Sequence, residues 1–251
     1  MSLSGGAQSA ESVALDARLM RDYGLSNQTH YLEAPIDKEG QRARFAYLIT
    51  AGSLGPDLFF GHFIHTDEAI LKTVAAAGSG MSWNPLSNGR LASGIADIPK
   101  YLTLGVKVGM GVDGQASADL PDPFENMRMG LYFIRAKYES ALVMQPLDVL
   151  RLHTMGSATV MGVADKIGSL ESGKFADFLV VDPGSGFDRA PVYDPVATLV
   201  FACNTQNLAA VYVGGHCVMR AGNTLDHDAA AVAAEVARRV GRIRAVVATP
   251  K

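Results

Sequence analysis

The chain has 251 residues, 48% of them hydrophobic and 19% charged, with a formal net charge of −3. That profile belongs to an ordinary globular protein with a sizeable core, and its mild acidity gives no general attraction to nucleic acid or to anionic membranes. Two cysteines, Cys203 and Cys217, are too few for a disulfide framework or a cysteine-rich zinc site.

In chain order, Met1 to Gly6 reads as a leader or a truncation rather than a first element, with no signal peptide. No apolar stretch reaches the roughly 18 to 20 residues of a membrane span, and a cytoplasmic location is expected. Ala10 to Tyr23 carries apolar residues at helical spacing and stops at Gly24, a C-cap candidate. A strand over Leu25 to Tyr31 follows, then a polar helix over Lys38 to Ala51 and the aromatic run Leu58 to His62. Asp67 to Ala77 reads as helix with Thr66 as N-cap, Gly80 to Trp83 as strand, and Ile95 to Leu104 as helix. Val106 to Val112 is a fourth strand and Pro123 to Ser140 a long helix, with one or two more helices over Pro146 to Met161.

Short strands alternating with helices at roughly 20 to 30 residue intervals indicate parallel βα units, and four such units make half of a (β/α)8 TIM-like barrel. After Gly162 the texture becomes β-rich, with strand-like runs at Ala176 to Asp182, Pro195 to Ala202 and Val211 to Met219. The expected organisation is a half-barrel over 1–162, a small β-rich half-sandwich module over 163–226, and a C-terminal helix over 227–251. Arg238, Arg239, Arg242 and Arg244 read as the solvated face of that helix, not a nucleic-acid tail.

Polar groups fall at the C-terminal ends of successive strands: His30 and Glu33 after the first, His62 at the second, Asn84 after the third and Asp113 after the fourth. In a βα barrel this rim is where side chains from distant segments converge. Imidazole nitrogens and a carboxylate suit one divalent cation, zinc ahead of iron, that activates water. Alone, each signal is weak. A histidine in an apolar strand is more often a hydrogen-bonded core residue, and Asp113 sits in a Gly-Val-Asp-Gly turn; their joint placement carries the argument.

Two look-alike motifs fail. Gly109 to Gly114 matches GxGxxG, but a polar loop over Gln115 to Asp122 stands where a dinucleotide fold needs its helix. Gly168 to Lys174 mimics a P-loop, but Phe175 replaces the magnesium-binding hydroxyl residue. His65, His153, His216 and His227 lack partners at a useful spacing.

Thr29-His30-Tyr31-Leu32-Glu33 resembles the fifth-strand segment of amidohydrolases in the deaminase and triazine hydrolase group. Gly61-His62-Phe63-Ile64-His65 resembles their sixth-strand histidine segment, Asn84 to Ile95 the seventh-strand loop, and Gly109 to Ser117 the eighth-strand metal-binding segment. Ile167 to Asp177 is similar to that family's return into its β-sandwich. The ordered match runs from about Ala10 to Gly222.

This resemblance implies His30 and Asp113 as metal ligands, with His62 beside the metal, as a third ligand or orienting the water or substrate. Glu33 would protonate a ring nitrogen as metal-bound hydroxide attacks the adjacent carbon, and Asp113 would accept the water's proton. Ammonia, or chloride from a halogenated ring, would leave a small heterocyclic substrate. Asn84, Ser87, Asn88 and Arg90 are candidate substrate contacts. The family's first-strand His-x-His pair occurs nowhere in these residues. Poor metal affinity is therefore expected, with two open sheet edges completed by a homodimer or by a missing N-terminal half. A catalytically inactive or complementing fragment is the second reading.

Overall fold

A computed structural model describes residues 7–184 and 190–247, so the leader reading of Met1 to Gly6 lies outside the described residues. Helix α1 (Ala10–Tyr23) opens with a capping box in which Ser9 and Ser12 bond reciprocally, and ends at Gly24 with φ of 60°. Strand β1 (Asn27–Tyr31) follows. The polar stretch expected as one helix is two, α2 (Lys38–Ala43) and α3 (Phe45–Thr50). The break falls where burial changes: α2 buries nothing, whereas α3 sinks Phe45 and Leu48 into the core.

Strand β2 (Leu58–His62) leads to α4 (Glu68–Ala77). Its cap is Asp67, whose Oδ1 accepts from the Ile70 amide at 2.8 Å; Thr66, the expected cap, shares a 2.7 Å hydrogen bond with the Tyr101 hydroxyl. After β3 (Gly80–Trp83) the expected polar loop is a short buried helix, α5 (Pro85–Arg90), begun by a proline whose missing N–H costs nothing there. Then come α6 (Ile98–Thr103), β4 (Lys107–Met110), and α7 (Gln115–Ala118), a single turn inside the segment expected to be loop. The long helix α8 (Pro123–Tyr138) is capped by Asp122. Next, α9 (Pro146–Arg151) passes through a π-helical turn, Leu152–Gly156, into α10 (Ser157–Val160).

The strands β1 to β4 form one parallel sheet in sequence order, the arc expected of half a barrel. Phe60, Met81, Trp83 and Val108 point into one core cluster with residues of the surrounding helices, such as Leu71, Ile98 and Leu131. The β4 edge is not left open as expected. The Ser157 hydroxyl accepts from the Met110 amide at 3.0 Å and donates to the Met110 carbonyl at 2.9 Å, so α10 covers the backbone there.

The second sheet is antiparallel, β5 (Phe178–Val181), β6 (Leu208–Val213), β7 (His216–Arg220) and β8 (Asn223–Thr224), again in sequence order. Pro195 to Ala202, expected as strand, is helix α11 (Pro195–Ala202). Asp194 accepts from the Val196 and Ala197 amides and Pro195 starts the first turn, so local cap chemistry overrides the β-branched composition. Cys203 is buried, Cys217 half-buried, and both are free thiols. The closing helix α12 (Ala229–Val247) buries none of its residues. Among the described residues, no helix is long and apolar enough to cross a membrane.

Candidate active site

The turn after β2 is unusual for its residue types. His62 and Phe63 both hold positive φ, 68° and 49°, as does Leu32 at 53° beyond β1. Left-handed backbone at bulky residues costs on the order of 1–3 kcal/mol and persists only where neighbours over-determine it. Here Phe63 is fully buried and stacks on Phe60 at 4.4 Å, and its amide reaches the Tyr31 carbonyl at 3.1 Å. The amides of Ile64 and His65 share the Leu32 carbonyl, each at 2.9 Å. These bonds fix His62 facing the β1 rim.

His30 sits on β1 directly opposite Gly61. A Cβ at Gly61 would stand 3.0 Å from the His30 ring, so the bare glycine leaves the imidazole its place. The two rings meet edge to face with centroids 5.0 Å apart. One ligand-type atom from each of His30, Glu33 and His62 lies within 4.8 Å of the others. Asp113, in the loop after β4, lies outside that group but against it: its Oδ2 is 3.8 Å from His62 Nε2, which is itself 3.6 Å from Glu33 Oε2.

His30 is exposed, whereas Asp113, Glu33 and His62 are held by hydrogen bonds. Ser87 donates to Asp113 Oδ2 at 2.6 Å and the Gly114 amide to Oδ1 at 2.7 Å. Ser93 donates to Glu33 Oε1 at 3.2 Å, and the Asn88 amide meets His62 Nδ1 at 2.7 Å. Burial pushes the Asp113 carboxyl up, but the Ser87 hydroxyl, the Gly114 amide and the two imidazoles outweigh it and hold the pKa below the usual carboxylate value. For His62 burial dominates and lowers the pKa, against the pull of Glu33 and Asp113.

Strand ends brought together in this way, with the ordered segments around them, match a known family over residues 7–218. The chain belongs to the amidohydrolase family. It is 30% identical over 217 residues to a 5'-deoxyadenosine deaminase of Methanopyrus kandleri, a match covering 84% of this chain and 50% of that protein. It is 35% identical over 210 residues to a 5-methylthioadenosine/S-adenosylhomocysteine deaminase of Syntrophobacter fumaroxidans, covering 82% and 47% respectively. An S-triazine hydrolase of Gordonia rubripertincta is 33% identical over 76% of this chain and 40% of its own length. Among solved structures, an adenosine deaminase from Xanthomonas campestris with bound zinc superposes with a TM-score of 0.89 at 26% identity, covering 96% of this chain and 56% of that one. The chain spans about half the length of the curated relatives it matches.

In this amidohydrolase chain the four candidate substrate contacts sit in different settings. Asn84 is buried, and its amide nitrogen faces Ser82 Oγ at 2.9 Å and the Gly111 and Trp83 carbonyls at 3.1 and 3.2 Å, so it ties β3 to β4. Ser87 and Asn88 are also buried and engage Asp113 and His62. Arg90 alone of the four is exposed, and its Nε donates to the Asp119 carboxylate beyond α7. Two further residues matter that spacing did not single out. Ser93 holds Glu33 across 60 positions of sequence. Asn126, fully buried on α8, accepts from the Leu86 amide at 3.1 Å and donates to the Gly111 carbonyl at 3.0 Å. Asn126 lies in a helix with no motif around it, so only the fold reveals it.

Proposed function

We propose that this chain carries the second half of the active site of a hydrolase that removes the amino group of a nitrogen heterocycle, with dechlorination as the related reaction. The observation that carries this reading is the convergence of His30, Glu33 and His62 from separate strand ends into one group, with Asp113 beside His62. Relatives named as deaminases of 5'-deoxyadenosine and 5-methylthioadenosine make an aminopurine nucleoside the first substrate to try.

The cofactor we assign is one divalent cation, zinc ahead of iron, since an imidazole and a carboxylate are donors that zinc accepts. His30 and Asp113 would hold it, with His62 and Glu33 alongside. Bound there, it supplies the Lewis acidity that makes water a nucleophile near neutral pH. The chain's own groups divide the proton work. Glu33, fixed by Ser93, delivers a proton to the ring nitrogen next to the carbon under attack. Asp113, held ionised by its hydrogen bonds, receives the water's proton. Asp113 passes that proton to the amino nitrogen, the C–N bond breaks and ammonia leaves, and the ring carbon keeps the oxygen as a carbonyl while the remaining hydroxyl proton returns to Glu33. Arg90, exposed at the end of α5, is the candidate for contact with the substrate.

We also propose that the chain works in association, with a second copy or with a chain supplying the His-x-His pair. The position of β1 at the end of its sheet and the exposed apolar residues Val232, Val236 and Ile243 of α12 support this. Sizing chromatography with light scattering decides it, and a monodisperse monomer counts against it.

Metal content by plasma mass spectrometry, on protein purified without added metal or a histidine tag, tests the central reading. Near-stoichiometric zinc or iron that falls in His30→Ala and Asp113→Ala, with ammonia released from an aminopurine nucleoside, supports it. Absence of both metal and ammonia release sinks it for this chain.

A further inference from the structure

Helix α5 follows β3 directly and packs on α8 and α7, and its two consecutive residues Ser87 and Asn88 grip a side chain from the loop after β4 and one from β2, strands that do not pair with each other. Both are buried, at 0% and 1% exposure, and their polar groups are turned to Asp113 and His62. The helix itself is anchored. Asn126 holds the Leu86 amide at one end of its amide group and the Gly111 carbonyl of the β4 exit at the other. A single short element therefore sets where Asp113 and His62 stand relative to each other.

The His62 ring contains a second piece of information. Its Nδ1 lies 2.7 Å from Asn88 Nδ2, while Asn88 Oδ1 is buried without a hydrogen-bond partner among the described residues. Turning the amide over would strand the nitrogen instead, so the choice is made at the far side of the ring. There Nε2 faces two carboxylates, Glu33 Oε2 at 3.6 Å and Asp113 Oδ2 at 3.8 Å. In the metal-free chain a proton on Nε2 is attracted to both, whereas a lone pair would point at two anions. The favoured arrangement has Asn88 donating to Nδ1 and the imidazole proton on Nε2.

We propose that α5 is a clamp: Ser87 and Asn88 are positioning residues that fix the spacing of Asp113 and His62 and hold the His62 proton on Nε2, and neither meets substrate. Its kinetic consequence rests on the hydrolase reading above, whereas the tautomer does not.

The test begins with nitrogen-15 spectra of the histidine rings in the full chain, with no metal added and at a mildly alkaline pH. The His62 signals are assigned by their loss in His62→Asn. The expected wild-type result is a protonated Nε2 and a bare Nδ1. Asn88→Asp, nearly the same shape, sets an acceptor against Nδ1 and should put a proton there; a residue that only fills space would leave the pattern unchanged. A wild-type proton on Nδ1 overturns the proposal without any variant, so a misfolded Asn88→Asp does not protect it.

In turnover, Asn88→Asp and Ser87→Ala should lower kcat by roughly 10–100-fold, the usual loss when a residue that orients a catalytic group is removed, with KM within about threefold. Ser87→Thr, which keeps the hydroxyl, should recover most of the loss. A raised KM with unchanged kcat would make these residues substrate contacts and overturn the clamp. A wild-type chain that hydrolyses no heterocycle, yet carries the proton on Nε2, defeats the hydrolase reading and leaves the clamp standing.

Discussion

The ends of the parallel strands and the C-terminal helix are opposite extremes of this molecule. Around His62, Asn84 and Asp113 the polar side chains are buried or nearly so, each has named partners, and two of the three residues hold positive φ. Along α12 nothing is buried: Val232 is 56% exposed and Ile243 62% exposed. In the first region a side chain's role follows from what touches it. In the second, the chain's own contacts assign no role, and apolar spacing reports only that a face is available. Changes that add or remove one atom group should therefore have large effects at the strand ends and small ones on α12.

The largest effect is expected at Glu33. Glu33→Gln keeps the shape and the contact with Ser93 but cannot carry the proton, so turnover should fall by about 10²–10⁴-fold, the range for a lost general acid. Bound metal should stay within error of wild type. Loss of metal together with turnover would show instead that Glu33 is a ligand, and the division of roles between it and Asp113 would have to be redrawn.

Next comes packing behind the site. Gly130 of α8 faces Trp83, and an added Cβ would stand 2.7 Å from the indole ring and 3.1 Å from Pro85. Two effects oppose each other in Gly130→Ala. Helix propensity favours alanine by up to about 1 kcal/mol, while forcing a methyl into a packed core costs about 1–3 kcal/mol. Trp83 is 1% exposed and has little freedom to retreat, so overpacking should win by roughly 1–2 kcal/mol. Urea denaturation measures this. A stabilised variant would mean that the core behind β3 is looser than these contacts describe.

The same contrast explains what was legible in the sequence. The βα alternation, the order of His30, His62 and Asp113, and the boundaries of β3 and α12 could be read because each depends on local periodicity or on a strand end. Residues 195–202 read as strand because Val196, Leu199, Val200 and Phe201 look like strand residues, although Asp194 and Pro195 carry a helix start signal. The α5 segment reads as loop because Ser87, Asn88 and Gly89 lie together in it. Its helicity comes from tertiary anchoring by Asn126, 40 positions away, which no window of sequence contains. For the same reason Ser87 and Asn88 could be marked as important without their partners being known.

A smaller effect concerns pH. Burial lowers the pKa of His62, His65 and His153 from the usual histidine value. All three rings resist protonation in the folded chain, whereas the unfolded chain binds those protons at about pH 6.5. The unfolded state therefore holds more protons as pH falls below that value, and stability is lost progressively there, with no contribution above it. With chelator present, denaturation midpoints should be lower at about pH 5.5 than at about pH 7.5. His153→Gln, which changes a ring outside the site cluster, should reduce the difference. Identical midpoints would contradict the burial of these rings.

The smallest change sharpens the contrast most. Gly241 lies inside α12, and a Cβ there would meet nothing within 4 Å. With no overpacking to oppose it, Gly241→Ala should express helix propensity alone, about 0.5–1 kcal/mol in favour of the helical state of that segment. Because α12 buries nothing, this gain should appear as slower amide exchange within residues 229–247 and leave the global denaturation midpoint unmoved. A rise in the midpoint would show that α12 unfolds together with the rest, which requires a packed surface against it. Within this chain none of its residues is buried, so that surface would have to come from another copy or another chain. The same glycine-to-alanine step, destabilising at 130 and silent at 241, thus tells whether α12 is free or docked.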